Sequence, residues 1–375
     1  MKIAIPKESA DGEFRVAASP ETVKKLTREG ISVVVQTGAG VASDISDDQF
    51  LTAGAETAAD FHTTTEKADV ILKIQSPSAE EIKSLPKGAC LVCLMNARTD
   101  SKTLKAVAKA GVTCFAMELL PRISRAQNMD VLSSQSNLAG YKAVIDAVDA
   151  YKRIVPMMMT AAGMISPAQV LVLGAGVAGL QAIATAKRLG AVVTAFDVRP
   201  AVKEQVESLG AKFLEIEQIK QTETTGGYAK ELDEQSKKNQ EKALADILPK
   251  TDIVITTALI PGKKAPLLIT RDMLQSMKEG SVVFDLAAKQ GGNCYGTLYG
   301  KTENLYGITV LGQSNAASRL SASASPLFAK NLYNFIVPLI DKETLKLKID
   351  FDDEIYRASC VARNGEVLLK ENDDV

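Results

Sequence analysis

The chain has 375 residues, more than one ordinary hydrophobic core organises, so two α/β domains are expected. Its 44 basic and 45 acidic residues give a formal net charge of -1, which offers no overall field for nucleic acid or anionic lipid, so neither is expected as a direct partner. No apolar stretch reaches bilayer length, and Met1-Lys2-Ile3-Ala4-Ile5-Pro6 is a short strand without a signal-peptide core, so a soluble, cytoplasmic chain is expected.

The first third alternates strand and helix patterns: Lys2 to Ile5, Pro20 to Glu29, Ile31 to Gln36, Ser46 to Ala53, Asp69 to Ile74, Ala89 to Met95, Lys102 to Ala110 and Val112 to Met117. That rhythm predicts a parallel sheet with crossover helices. From Ser133 a long helical run passes through Ala139, Tyr141, Val144, Ile145, Val148 and Tyr151 to Pro156 and reads as a connector into a second domain.

The run Val170-Leu171-Val172-Leu173-Gly174-Ala175-Gly176-Val177-Ala178-Gly179 then carries an apolar strand into a glycine turn and a helix. This is the dinucleotide-binding fingerprint. Gly174 permits the turn, Gly176 lets backbone approach a pyrophosphate, Gly179 lets helix and strand pack, and the phosphates would sit on the helix N-terminus. A second strand, Val192 to Phe196, ends in Asp197, whose carboxylate would accept the ribose hydroxyls of NAD and repel the 2′-phosphate of NADP. Arg199 could pair with that phosphate or be an ordinary surface arginine.

Strands near Ile253 to Thr257, Ser281 to Leu286 and Ile308 to Leu311 complete a Rossmann-like domain, and a helix from Pro326 to Ile340 returns the chain to the first. The tail from Phe351 to Leu369 reads as a hairpin turning at Asn364-Gly365. The expected fold is α/β: two Rossmann-like domains with parallel sheets joined by long helices, residues 1–132 with 325–375 and residues 133–324.

Between these elements, Glu223 to Lys230 carries Gly226-Gly227-Tyr228 before a charge-dense helix from Glu231 to Leu248. It reads either as a hinged loop whose aromatic closes over a nucleotide or as an inert insertion. The five cysteines are odd in number and lie mostly in apolar runs, so no disulfide framework is expected. Cys90-Leu91-Val92-Cys93 has redox or zinc spacing inside an apolar strand without partner ligands, so buried structural thiols and no metal site are expected. The one histidine, His62, sits in a polar run as an exposed helix cap or loop residue.

Several long blocks carry a resemblance: Ile5-Pro6-Lys7-Glu8 with Glu13-Phe14-Arg15-Val16-Ala17, the loop from Pro121 to Asp130, Ser134 to Tyr141, Met157 to Gly163 and Thr256 to Lys263. Through nearly its whole length the chain resembles the NAD(H)-binding component of the proton-translocating nicotinamide nucleotide transhydrogenase, the α-subunit's first domain, a family related to alanine dehydrogenase. The resemblance implies NAD(H) in the interdomain cleft and hydride exchange with NADP(H) on a partner subunit. It assigns Arg122, Ile123, Ser124, Gln127, Asn128, Met129, Asp130 and Ser133 to the nicotinamide end, with Gln127, Arg122 and Asp130 closest to the chemistry. Gln127 could bond a nicotinamide ribose or phosphate group, and Arg122 with Asp130 could form an ion pair holding the loop, or merely a surface salt bridge. Gly174, Gly176, Val177, Gly179, Asp197, Val198, Arg199, Gly227, Gln240 and Leu259 would line the adenosine and pyrophosphate part, with Tyr228 closing over it.

The related dehydrogenase must move protons as well as hydride, so it needs a poised acid or base, whereas hydride exchange between two nicotinamides needs only position and electrostatics. Where that enzyme would carry its catalytic histidine stands Leu94, although Arg15 and Lys73 match its substrate-binding positions. The implied partners are an NADP(H)-binding subunit, a membrane proton-channel component and a second copy of the chain, at the cytoplasmic face of the membrane. No spanning segment follows Val375, which fits a split α-subunit or a truncated chain. The alternatives are an amino-acid dehydrogenase and an NAD-sensing binding module.

Overall fold

The computed structural model describes residues 1–216, 233–260, 263–313 and 315–369. In chain order the strands are β1 (Lys2–Ile5), β2 (Ser32–Gln36), β3 (Glu56–Ala58), β4 (Val70–Gln75), β5 (Cys90–Leu94), β6 (Thr113–Ala116), β7 (Met158–Thr160), β8 (Gly163–Ile165), β9 (Gln169–Leu173), β10 (Val192–Phe196), β11 (Lys212–Phe213), β12 (Ile253–Thr256), β13 (Val282–Asp285), β14 (Thr302–Leu305), β15 (Ile308–Leu311), β16 (Cys360–Arg363) and β17 (Glu366–Val367). They fall into two compact units, Met1–Gln135 with the described residues from Ala317 onward, and Ser136–Ala316. The boundary lies within the helix Val131–Ala150.

The first unit is built on an eight-stranded sheet in the order β17-β16-β6-β5-β4-β1-β2-β3. Its six strands from β6 to β3 pair in parallel, while β16 runs antiparallel to both β6 and β17. A strand covered on both faces needs no polar alternation, which is why β4 reads Val-Ile-Leu-Lys-Ile-Gln with all but its last residue buried. One face is closed by the helix Ser321–Ile336, whose Phe328, Leu332, Phe335 and Ile336 form a wholly buried stripe at helical spacing. Phe115, Phe335 and Tyr356 meet edge to face there, with centroids 5.3 to 6.2 Å apart.

Two differences from the sequence-based expectation have simple causes. The helix starts at Ser321 and runs through Pro326, although proline suggests a start. Buried contacts on both sides of Pro326 outweigh its one missing N–H. The tail contains a short helix, Glu354–Ser359, capped by Asp353, before the β16–β17 hairpin. The hairpin itself turns at Asn364 and Gly365, both with positive φ, as the dipeptide predicts.

The second unit has a seven-stranded sheet in the order β11-β10-β9-β12-β13-β15-β14, parallel except for β14 with β15. The first strand of this unit to enter the sheet, β9, lies between β10 and β12, so the winding reverses there, at the crevice where doubly wound sheets bind ligands. Val170 and Val172 of β9 face one hydrophobic core, while Leu171 and Leu173 face the other. A small hairpin, β7 with β8, stands apart from this sheet and exposes Met157, Met158, Met159, Met164 and Ile165.

Candidate nucleotide site

The fingerprint turn joins β9 to the helix Val177–Arg188. Each of its glycines has a distinct reason to lack a side chain. Gly174 has φ +99°, and a Cβ there would stand 2.4 Å from Thr257 Oγ1. A Cβ on Gly179 would fall 1.8 Å from the Gly174 oxygen, so helix and turn are in backbone contact. Gly176 is different: an added Cβ would meet only Arg199 Nη2, at 4.0 Å. Open space therefore lies over Gly176, which caps the helix without a side-chain hydrogen bond and leaves its first amides available to an anion. That cradle fits a dinucleotide pyrophosphate.

Asp197, directly after β10, is buried to 9% exposure. Its Oδ2 accepts the Ala175 amide at 2.7 Å and Arg199 Nη2 at 2.8 Å, and its Oδ1 accepts the Arg199 amide and Nε, both at 2.9 Å. Arg199 thus forms a bidentate pair with the acid rather than standing as a separate surface cation. Val198 is half-buried, Val177 and Leu259 are exposed at the start of the helix and beyond β12, and Gln240 is buried on the helix Glu234–Ile247. Gly227 and Tyr228 lie outside the described residues.

In the other unit, Ser124–Met129 forms a 3-10 turn in which Ser124, Gln127 and Asn128 are exposed and Met129 is buried; just before it Arg122 is exposed and Ile123 half-buried. Two asparagines, Asn331 and Asn334, donate to the Asn128 carbonyl at 2.8 and 2.9 Å, and Arg125 makes a bidentate pair with Asp353 at 2.6 and 2.8 Å. Asp130 accepts the Ser133 amide at 2.9 Å and the Ser133 hydroxyl. The carboxylate of Asp130 thereby caps the first turn of the following helix, where an unpaired amide needs an acceptor.

Residues 4–139 match the family described as Alanine dehydrogenase/PNT, N-terminal domain, and residues 143–370 match Alanine dehydrogenase/PNT, C-terminal domain. The chain belongs to the alanine dehydrogenase/PNT family. It is 54% identical over 375 residues to the first segment of the NAD(P) transhydrogenase subunit alpha of Rhodospirillum rubrum, covering 98% of each chain. The alanine dehydrogenase of Halomonas elongata is 31% identical over 378 residues, covering 99% of this chain and 95% of that one. Among solved structures, a transhydrogenase from Sinorhizobium meliloti superposes with a TM-score of 0.90 at 49% identity, covering 98% of this chain and all of that one.

The family's other branch directs attention to Arg15 and Lys73, and both sit in a buried polar cluster of the first unit. Arg15 donates to Glu13 at 2.6 and 2.7 Å and to Gln135 Oε1 at 2.8 Å. Lys73, with 0% exposure, lies 3.5 Å from Glu8 and 3.3 Å from Glu81. Beside them is a cavity of about 160 Å³ bounded by Glu8, Glu13, Arg15, Gly38 and Val41. Burial opposes ionisation of Glu13, but the hydrogen bonds and charge of Arg15 outweigh it and hold the carboxyl at about 2. Burial pushes the Glu8 carboxyl up, with Lys73 offsetting only part of that. A substrate carboxylate entering here would compete with Glu13 for the guanidinium of Arg15.

Sequence reasoning did not find Thr257, Asp285 and Asn293, whose contacts tie the segment after β12 to the Gly174 turn and to the end of β13. Their signal was present in the Thr256-Thr257 and Gly291-Gly292-Asn293 segments, without the pairing that gives it meaning.

Proposed function

We propose that the chain is the NAD(H)-binding component of a proton-translocating transhydrogenase, exchanging hydride with NADP(H) held by a partner subunit. The observation that carries this reading is the open cradle over Gly176 at the switch point of the second unit. Similarity to transhydrogenase subunits along the whole chain supports it. Bound NAD(H) supplies the hydride carrier. The helix amides at Val177 and Ala178 would hold the pyrophosphate, Asp197 the adenosine ribose, and Leu259 with Val198 the adenine surroundings. The resemblance gives the nicotinamide end to the loop Arg122–Ser133, with Gln127 orienting the ring. No residue need take up a proton at the reacting carbons, in keeping with the resemblance, which sets Leu94 at the position of the dehydrogenase's histidine.

In this reading a membrane proton-channel component and the NADP(H)-binding subunit hold the chain at the cytoplasmic face of the membrane, and the chain works as a homodimer. The apolar β7–β8 hairpin supports the dimer, because a patch led by Met159, 76% exposed, is costly to leave in water.

The test is NADH oxidation by the purified chain, alone with pyruvate and ammonium and again with an NADP-loaded partner. Transfer only with the partner is the expected result. Oxidation without it would assign the Arg15 cavity to an amino-acid dehydrogenase, and binding without transfer in any pairing would leave a sensing module.

A further inference from the structure

Asp285, at the end of β13, is wholly buried, and its carboxylate collects five donors: Thr256 Oγ1 at 2.9 Å, Ala287 N at 3.0 Å, Asn293 N at 2.7 Å, Cys294 N at 3.0 Å and Thr297 Oγ1 at 2.8 Å. Gly291 and Gly292, both with positive φ, fold the chain back to deliver two of those amides, and a Cβ on Gly292 would stand 2.8 Å from Asp285 Oδ2. The turn thereby seats Asn293, itself wholly buried. Its carboxamide takes both backbone groups of Ala258: Oδ1 accepts the Ala258 amide at 3.1 Å, and Nδ2 donates to the Ala258 oxygen at 2.9 Å. Nδ2 also donates to the Pro266 oxygen at 2.8 Å, while the Asn293 oxygen accepts the Leu268 and Ile269 amides at 2.8 and 2.9 Å. Next to Ala258, the Thr257 hydroxyl lies 3.1 Å from the Gly174 oxygen and 3.3 Å from the Leu173 oxygen.

We propose that Asn293 and Thr257 are positioning residues of the nucleotide site. Asn293, seated by Asp285, fixes the segment Ala258–Leu259 by its backbone, and Thr257 ties that segment to the fingerprint turn. The wall carrying Leu259 and the glycine cradle then keep one spacing before a nucleotide arrives, which lowers the ordering cost of binding. A buried carboxamide with all its groups matched has one orientation, and removing it strands the Ala258 amide and carbonyl. The inference rests on the nucleotide reading given above.

The experiment titrates NADH fluorescence against the parent chain, Asn293→Ala, Thr257→Val and Thr257→Ser, with thermal unfolding of each free protein as the folding control. Asn293→Ala and Thr257→Val are expected to weaken NADH by about tenfold, with the loss in Kd and in KM for NADH rather than in kcat with an NADP-loaded partner. Thr257→Ser, which keeps the hydroxyl, retains the parent's affinity. Folded Asn293→Ala or Thr257→Val binding NADH as the parent does would overturn the proposal, since a merely structural brace moves only the unfolding temperature. If Asn293→Ala does not fold, the Thr257 pair decides. A parent chain that binds no NADH would instead sink the nucleotide reading itself.

Discussion

The hydroxyl of Thr257 hydrogen-bonds the carbonyl of Gly174 at 3.1 Å and occupies the space a side chain at position 174 would need. Gly174→Ala therefore meets both a left-handed φ of +99° and a 2.4 Å clash, and should destabilise the free protein by about 1–3 kcal/mol as well as abolish NADH binding. Gly176→Ala separates the two effects. Its new methyl meets only Arg199 Nη2 at 4.0 Å, so the free protein should lose under about 1 kcal/mol, the usual difference between glycine and alanine as a helix cap. The same methyl projects into the cradle, so the NADH-dependent rise in melting temperature should vanish. A retained rise would place the pyrophosphate elsewhere.

Strand positions were legible where a short, largely apolar run is bounded by turn residues; β9 and β10 lie where Val170–Leu173 and Val192–Phe196 predict them. His62 is exposed as expected, but it stands inside the helix Phe61–Thr65, whose cap is Asp60, rather than being a cap or loop residue; all five cysteines are buried and free. The brace through Asn293 was not legible, since its partners Ala258 and Asp285 reach it only through the turn that folds residue 293 back onto the sheet. Two glycines followed by a polar residue show only that the chain turns there, not what the turn buries. The β7–β8 hairpin was equally hidden: Met158-Met159-Thr160 has no period-two alternation, and its exposure is set by what surrounds it.

Asp197→Ala should weaken NADH by about tenfold and narrow the preference over NADPH, because three things change together. The charge that repels a 2′-phosphate disappears, the Ala175 amide loses its 2.7 Å acceptor, and Arg199 is released from its bidentate partner beside the cradle. Parallel titrations with NADH and NADPH check this. An unchanged ratio of the two affinities would show that Asp197 does not select.

Acid should unfold the first unit through Glu13. Its carboxyl, held at about 2 against an ordinary 4.5, contributes stability that is fully present above pH 4.5 and is lost as pH falls from there towards 2, on the order of 3 kcal/mol. Glu8 acts with the opposite sign: burial raises its folded-state value above 4.5, so it weakens the native state at neutral pH and ceases to do so on acidification. The two windows do not overlap. Urea midpoints measured from pH 7 to pH 2 should therefore fall most steeply below 4.5, and Glu13→Gln should flatten that limb while lowering the midpoint at pH 7. A limb as steep in the variant would assign the acid transition to other carboxyls.

The hairpin offers a direct test of assembly. Met159→Asp and Met164→Asp replace exposed apolar side chains of β7–β8, so a monomer would tolerate them within about 0.5 kcal/mol. If the hairpin is the dimer contact, each should raise the dimer dissociation constant by at least about tenfold in sedimentation equilibrium, since burying an unpaired carboxylate at an interface is costly. Dimers of undiminished strength would move the contact elsewhere on the chain.

Gln127 lies exposed on a turn whose backbone is pinned by Asn331 and Asn334 through the Asn128 carbonyl, so its side chain can be shortened without releasing the loop. Gln127→Asn should leave NADH affinity within about twofold and slow hydride transfer to an NADP-loaded partner by about tenfold or more, because a contact shortened near the reacting ring misplaces it more than it loosens it. The pinning makes the outcome interpretable. Asn331→Ala, which removes one of the two anchors, should instead lower affinity and rate together if the loop must be ordered to meet the nucleotide. Single-turnover transfer alongside equilibrium titration distinguishes the two. Equal losses of affinity and rate in Gln127→Asn would make Gln127 an ordinary binding group rather than one that aims the nicotinamide.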